Sequence, residues 1–180
     1  MNLASSQGDT PLCVAAQNGH KEAVIALLEA KAAVNQATND GIGPVYVAAQ
    51  KGHADVLKLL IKAGGDVNLA SSQGATPLYI AVEQGHKEAV IALLEAKAAV
   101  NQATSNGVGP VYMAAQNGHV DVLKLLIEAG GAGADALHKD IDGDTALDSA
   151  VHFKHPAVEA VLRAHLEAKP EERGRDAEGK

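Results

Sequence analysis

The stretch TPLCVAAQNGHKEAVIALLEA runs from Thr10 to Ala30, and TPLYIAVEQGHKEAVIALLEA runs from Thr76 to Ala96. In the first, a threonine precedes a proline, which suits a hydroxyl N-cap followed by a residue whose missing N–H costs nothing at the first helical position. Leu12, Ala15 and Ala16 then recur at i, i+3 and i+4, a narrow apolar stripe of helical period. Gly19 stops that helix. Glu22 and Ala23 open a second, whose Val24, Leu27 and Leu28 repeat the spacing. Both helices fall short of the roughly 12 to 15 residues at which an isolated helix becomes marginal in water. Each pair therefore has to be held by its neighbours.

The neighbours are copies. NLASSQG stands at Asn2 to Gly8 and again at Asn68 to Gly74, and a shift of 66 lays residues 2–67 over 68–133 with fifteen differences. A shorter period of 33 lies inside, marked by Pro11, Pro44, Pro77 and Pro110. A diverged fifth unit follows at Thr145-Ala146-Leu147, displaced by three residues placed at Gly130-Gly131-Ala132. A fixed period of this size marks a stacked array. Between units the chain is polar and ends in glycine, as in KAAVNQATNDG and GGDVNLASSQG, which predicts a hairpin-like finger.

Composition fits such a stack. Only 2% of residues are aromatic, so the core is built from Ala, Leu, Val and Ile at short backbone distances. A net charge of −7 opposes phosphate and anionic lipid, which argues against nucleic acid and membrane surfaces as partners. A single cysteine, no signal-like start and no apolar run of membrane length lead us to expect an intracellular, cytoplasmic protein.

The pattern G-x-T-P-L-x-x-A-A-x-x-G-H, followed by V-x-x-L-L and G-x-D-V-N, resembles the ankyrin repeat over about residues 2–166. The resemblance implies an all-α repeat solenoid of helix-turn-helix pairs with finger loops, occupying residues 1–168. Its first finger is 1–9 and its repeats are about 7–39, 40–72, 73–105, 106–141 and 142–168. Residues 169–180 read as a charged tail, helical at first and disordered beyond. Where the family carries histidine after the proline, this chain has Cys13, Tyr46, Tyr79, Tyr112 and Asp148, and Gly43 and Gly109 replace the capping threonine. Gly43→Thr is therefore expected to raise the melting temperature. The array appears cut ahead of its first unit, so an apolar face there is expected to be open or to self-associate.

Little in the chain suggests catalysis. His20, His53, His86 and His119 lie 33 residues apart, too far to converge on one ion, and the resemblance implies that they bond loop backbone. Asp148, His152 and His155 are the better metal candidate, weighed against a plain polar face on a terminal repeat, and no metal is expected. Cys13 has no base beside it, and its counterpart in the copy is Tyr79. No phosphate-binding loop precedes a strand. No cofactor and no enzymatic activity are expected.

The two copies differ in an organised way. Residues 20–38 and 86–104 are identical, charged surface positions included. Seven of the fifteen differences fall at Asp9/Ala75, Gln17/Glu83, Asn18/Gln84, Asn39/Ser105, Asp40/Asn106, Ile42/Val108 and Lys51/Asn117, while others such as Ala54/Val120 and Lys62/Glu128 lie elsewhere. Those seven are fingertips and first-helix ends, which in an ankyrin stack line the concave groove. The resemblance thus implies a surface for a protein or peptide, with recent copying and chance differences as the competing explanation. Tyr46, Tyr79 and Tyr112 form a ladder that either borders that groove, as tyrosine anchors do, or fills the space of the missing histidine. Two other functions stay open. One is a structural spacer or engineered stack without a natural ligand. The other is a substrate for an asparaginyl hydroxylase, with Asn35, Asn68 and Asn101 as the residues the resemblance implies.

Overall fold

The computed structural model of the chain describes residues 4–130 and 134–168. The expected tail at 169–180, the start of the first finger at 1–3 and most of the three-residue insertion lie outside the described residues. Among the described residues ten helices alternate with loops: α1 Pro11–Gln17, α2 Lys21–Glu29, α3 Pro44–Gln50, α4 Ala54–Lys62, α5 Pro77–Glu83, α6 Lys87–Glu95, α7 Pro110–Gln116, α8 Val120–Gly130, α9 Ala146–His152 and α10 Pro156–Glu167. Among the described residues there is no strand.

The helix starts follow the residue chemistry. The Thr10 and Thr76 hydroxyls accept from the backbone N–H of Cys13 and Tyr79, both at 3.1 Å, with proline next in line. Gly43 and Gly109 occupy the same place with no side-chain cap. Thr145 forms a full capping box with Asp148.

First helices pack on first helices and second on second, so the molecule is two parallel rows. The first-helix row is the closer of the two despite its shorter members, which bends the stack toward that side. Ala15, Ala48, Ala81, Ala114 and Ala150, all buried, allow that approach. Leu57, Leu60, Leu78, Leu93, Leu123 and Leu126 are fully buried and fill the space between the rows. The core is one cluster running the length of the array.

The fingers are hairpin turns without strands. In each, one backbone N–H reaches across the turn, as from Thr38 to the Ile42 carbonyl at 3.0 Å and from Ser71 to the Ala75 carbonyl at 2.9 Å. Each fingertip also donates to the finger before it: Asn39 to the Gln7 carbonyl at 3.1 Å, Ser72 to Asp40 at 2.8 Å, Ser105 to Gln73 at 2.9 Å and Ile141 to Asn106 at 3.2 Å. The tips thus form a continuous backbone-bonded row.

Candidate functional site

Two rows of side chains flank the first-helix side of the molecule. Asn39, Asp40, Ser105 and Asn106 are exposed on the fingertips, and Gln17, Asn18, Lys51, Gln84 and Asn117 are exposed at the far ends of the first helices. A seven-residue helix is about 10 Å long, so the two rows stand roughly that far apart along the helix axis. Asp9, Ile42, Glu83 and Val108 are half-buried. Some polar groups in the rows are already engaged: the Asn39 amide donates to the Ser6 carbonyl at 3.2 Å, and the Asn117 amide to the Glu83 carbonyl at 3.0 Å.

Formal charge is largely excluded from this side. In residues 4–18, 37–51, 70–84 and 103–117, which hold the first four fingers and first helices, the charged residues are Asp9, Asp40, Lys51 and Glu83. The second helices and their loops carry the rest of the first four repeats' charge, including the exposed pairs Lys21–Asp55 at 3.8 Å and Lys87–Asp121 at 3.4 Å. Such exposed pairs add little stability.

Three of the residues expected at a partner surface are not available to one. Tyr46 is 6% exposed, Tyr79 is 9% exposed and Ala75 is buried at a finger base. The rings fill the space between consecutive first helices, which corrects the groove-anchor reading for two rungs of the ladder. Burial raises the pKa of Tyr46, with the Glu83 carboxylate adding to it. Tyr79 is pushed up to about 12 by burial, then by Glu83 and Tyr46. Tyr112 is half-buried, its pKa raised by burial and by a hydrogen bond to Asp140 of the fifth finger.

The histidines are struts. The Nε2 atoms of His53, His86, His119 and His155 lie 3.0–3.2 Å from the carbonyls of Gln17, Gln50, Glu83 and Gln116, each in the preceding repeat. A carbonyl can only accept, so each ring carries its proton on Nε2. His155 is therefore the fourth of these struts and not a ligand beside Asp148. The Asp148 carboxylate is likewise spent on Thr145, accepting from its hydroxyl at 2.6 Å and its N–H at 2.9 Å, which holds the pKa of Asp148 down. This removes the metal candidate Asp148, His152 and His155, and no other cluster of potential metal ligands occurs among the described residues. Cys13 is 2% exposed, with Sγ 3.7 Å from the Gln36 carbonyl.

Asn35, Asn68 and Asn101 form a second ladder. Their Oδ1 atoms accept from the backbone N–H of Asp66 at 2.7 Å, Ala99 at 2.8 Å and Asp135 at 3.1 Å, each in the next repeat. Asn35 also donates to the Gly64 carbonyl at 3.1 Å.

The fifth finger lies outside the duplication and has no partner copy. Its tip carries Ile141, 72% exposed, where the other tips carry Ser6, Asn39, Ser72 and Ser105, and the acidic residues Asp140, Asp142 and Asp144 surround it. With the insertion placed, that apolar break in a polar column is visible in the sequence. A family model described as ankyrin repeats (3 copies) matches residues 12–104 and 93–173. A search of curated proteins found no match. Among the described residues no helix is long and apolar enough to cross a membrane.

Proposed function

The chain belongs to the ankyrin repeat family, and on that footing we propose that it is a protein-interaction scaffold whose fingertips and first-helix ends receive a protein or peptide. Ankyrin repeats are in general protein–protein interaction modules and in general not enzymes. One observation carries the finer reading. The two copies are identical along residues 20–38 and 86–104, exposed charged positions included, yet differ at Gln17, Asn18, Asn39, Asp40 and Lys51 and their counterparts. Surface drift would spread differences evenly, whereas the second helices hold only Ala54/Val120 and Lys62/Glu128.

The chemistry of that side favours a partner held by hydrogen bonds. Amides and hydroxyls such as Gln17, Asn18, Gln84, Ser105 and Asn106 outnumber charges there, so steering by salt-sensitive ion pairs has a small share. The test is affinity capture from a homologous lysate with wild-type chain, a groove variant Asn39→Arg/Ser105→Arg and a back-surface variant Lys58→Glu. A species retained by the wild type and the back-surface variant but lost with the groove variant supports the reading. Capture that ignores the groove variant, or no capture at all, returns the chain to the spacer reading.

Asparaginyl hydroxylation of Asn35, Asn68 and Asn101 is the second reading, favoured by their exposure on loops. Each side chain bridges to the next repeat, so a modifying enzyme would work on a locally opened loop. A gain of one oxygen per site in the intact mass is the result it requires.

A further inference from the structure

Three asparagines of the chain stand directly before a glycine: Asn18, Asn106 and Asn117. Such a step is chemically labile, because glycine has no Cβ to keep its backbone nitrogen away from the asparagine's own amide carbon. Whether it reacts depends on what holds the two groups. At Asn18 and Asn117 both are held. Each caps the end of a first helix, and its side-chain amide donates to a carbonyl, that of Val14 at 2.8 Å and that of Glu83 at 3.0 Å. The backbone beyond is tied as well, His20 donating to Ala15 at 3.0 Å and His119 to Ala114 at 2.9 Å. Freeing either asparagine means unwinding the end of a packed helix.

Asn106 stands differently. It is exposed at the tip of the fourth finger, and its side-chain amide makes no hydrogen bond among the described residues. The Gly107 N–H donates to the Thr104 carbonyl at 2.9 Å, and the Asn106 carbonyl accepts from Ile141 at 3.2 Å. Releasing the Gly107 nitrogen breaks one turn bond and unwinds no helix, which puts it at the low end of the free energies for local opening. The other fingers show what this turn accepts. Gln7, Asp40, Gln73 and Asp142 hold the matching place, each before a glycine with φ between +78° and +88°. Aspartate is thus already built into the same turn twice, once in the sister copy.

We propose that Asn106 is a modification site, a centre of spontaneous deamidation with water as the co-reactant. The Gly107 nitrogen, once deprotonated, attacks Cγ of Asn106. The new C–N bond closes a succinimide ring as the Cγ–Nδ2 bond breaks and ammonia leaves. Water then opens the ring. Addition at Cγ breaks the new bond and yields aspartate, whereas addition at the backbone carbonyl carbon yields isoaspartate, whose main chain is one atom longer. The net change is amide and water to carboxylate and ammonium. Aspartate gives the fourth fingertip the charge that Asp40 already places on the second. Isoaspartate displaces the carbonyl to which Ile141 donates. No partner takes part, and the scaffold reading stands whether or not the step occurs.

The test is ageing of the full chain in mildly alkaline buffer, where the glycine nitrogen loses its proton more readily, with peptide fragmentation to locate each gain of one mass unit. In the native chain Asn106 should convert at least about tenfold faster than Asn18 or Asn117. In concentrated urea the three sites should react within about threefold of one another, because the bonds that protect two of them are gone. Asn106→Asp should fold with an unchanged melting temperature, as the same residue sits in two other fingers. No conversion of Asn106, native rates at Asn18 or Asn117 that equal it, a tenfold preference that persists in urea, or a lowered melting temperature for Asn106→Asp would each overturn the proposal.

Discussion

At the scale of single residues, most of the sites expected to carry chemistry turn out to join one repeat to the next. Gly52 shows how tightly. Its φ is +71°, and a Cβ there would lie 2.7 Å from Nδ1 of His86, whose Nε2 holds the Gln50 carbonyl. Gly52→Ala therefore combines left-handed strain with a displaced ring, and about 2–3 kcal/mol should be lost in urea unfolding. Lys154 occupies the matching position in the fifth unit at φ 61°, where among the described residues no histidine of a further repeat lies against it, so Lys154→Gly should instead stabilise by about 1 kcal/mol. The capping glycines divide in the same way. A Cβ on Gly109 meets nothing within 4 Å, whereas one on Gly43 would lie 2.9 Å from Cδ2 of Leu69. Gly109→Thr should raise stability by a few tenths of a kcal/mol in thermal melts, and Gly43→Thr should give less or none, contrary to the expectation from sequence. Tyr79 gives a pH signature. Its pKa is raised from 10.0 to about 12 by burial and the nearby Glu83, so the fold keeps a proton that the unfolded chain releases. Stability should be full below pH 10 and fall as pH rises toward about 12, and Tyr79→Phe should flatten that fall in urea midpoints.

At the scale of elements, the helix pairs were legible because their signals are local: threonine and proline at the start, a glycine at the stop and an apolar stripe between. The fingers were legible as turns from their glycines. Their mutual backbone bonds were not, because a fingertip N–H meets a carbonyl one repeat away and no side chain at either end encodes it. The candidate surface was legible only where the chain offered two copies to compare, which is why Ile141 and its acidic neighbours in the fifth finger went unmarked. Burial was the weakest inference. A tyrosine repeated every 33 residues fits an anchor as well as a spacer, and only the closeness of the first-helix row decides that Tyr46 and Tyr79 pack. That closeness can be probed directly. Ala81 is fully buried in a column that is alanine in all five repeats, while Val82 stands one residue on, in a column that already accepts valine. Ala81→Val should cost about 1–3 kcal/mol by overpacking, measured by chemical denaturation.

At the scale of the whole molecule, the stability of the array comes from repeat against repeat. Such a stack follows nearest-neighbour energetics, so a unit with one neighbour opens more readily than one with two. The identical segments 20–38 and 86–104 turn this into a controlled comparison, since equal sequence means equal intrinsic amide exchange. Flanking differences such as Gln17 against Glu83 let peptides from the two be told apart by mass. The decisive measurement is native-state hydrogen exchange of α2 and α6 in one dilute sample. Stacking predicts that amides of Lys87–Glu95 exchange at least about tenfold more slowly than those of Lys21–Glu29. Equal rates in the two segments would mean that neighbouring repeats do not hold each other, and the account of a stacked scaffold would be contradicted.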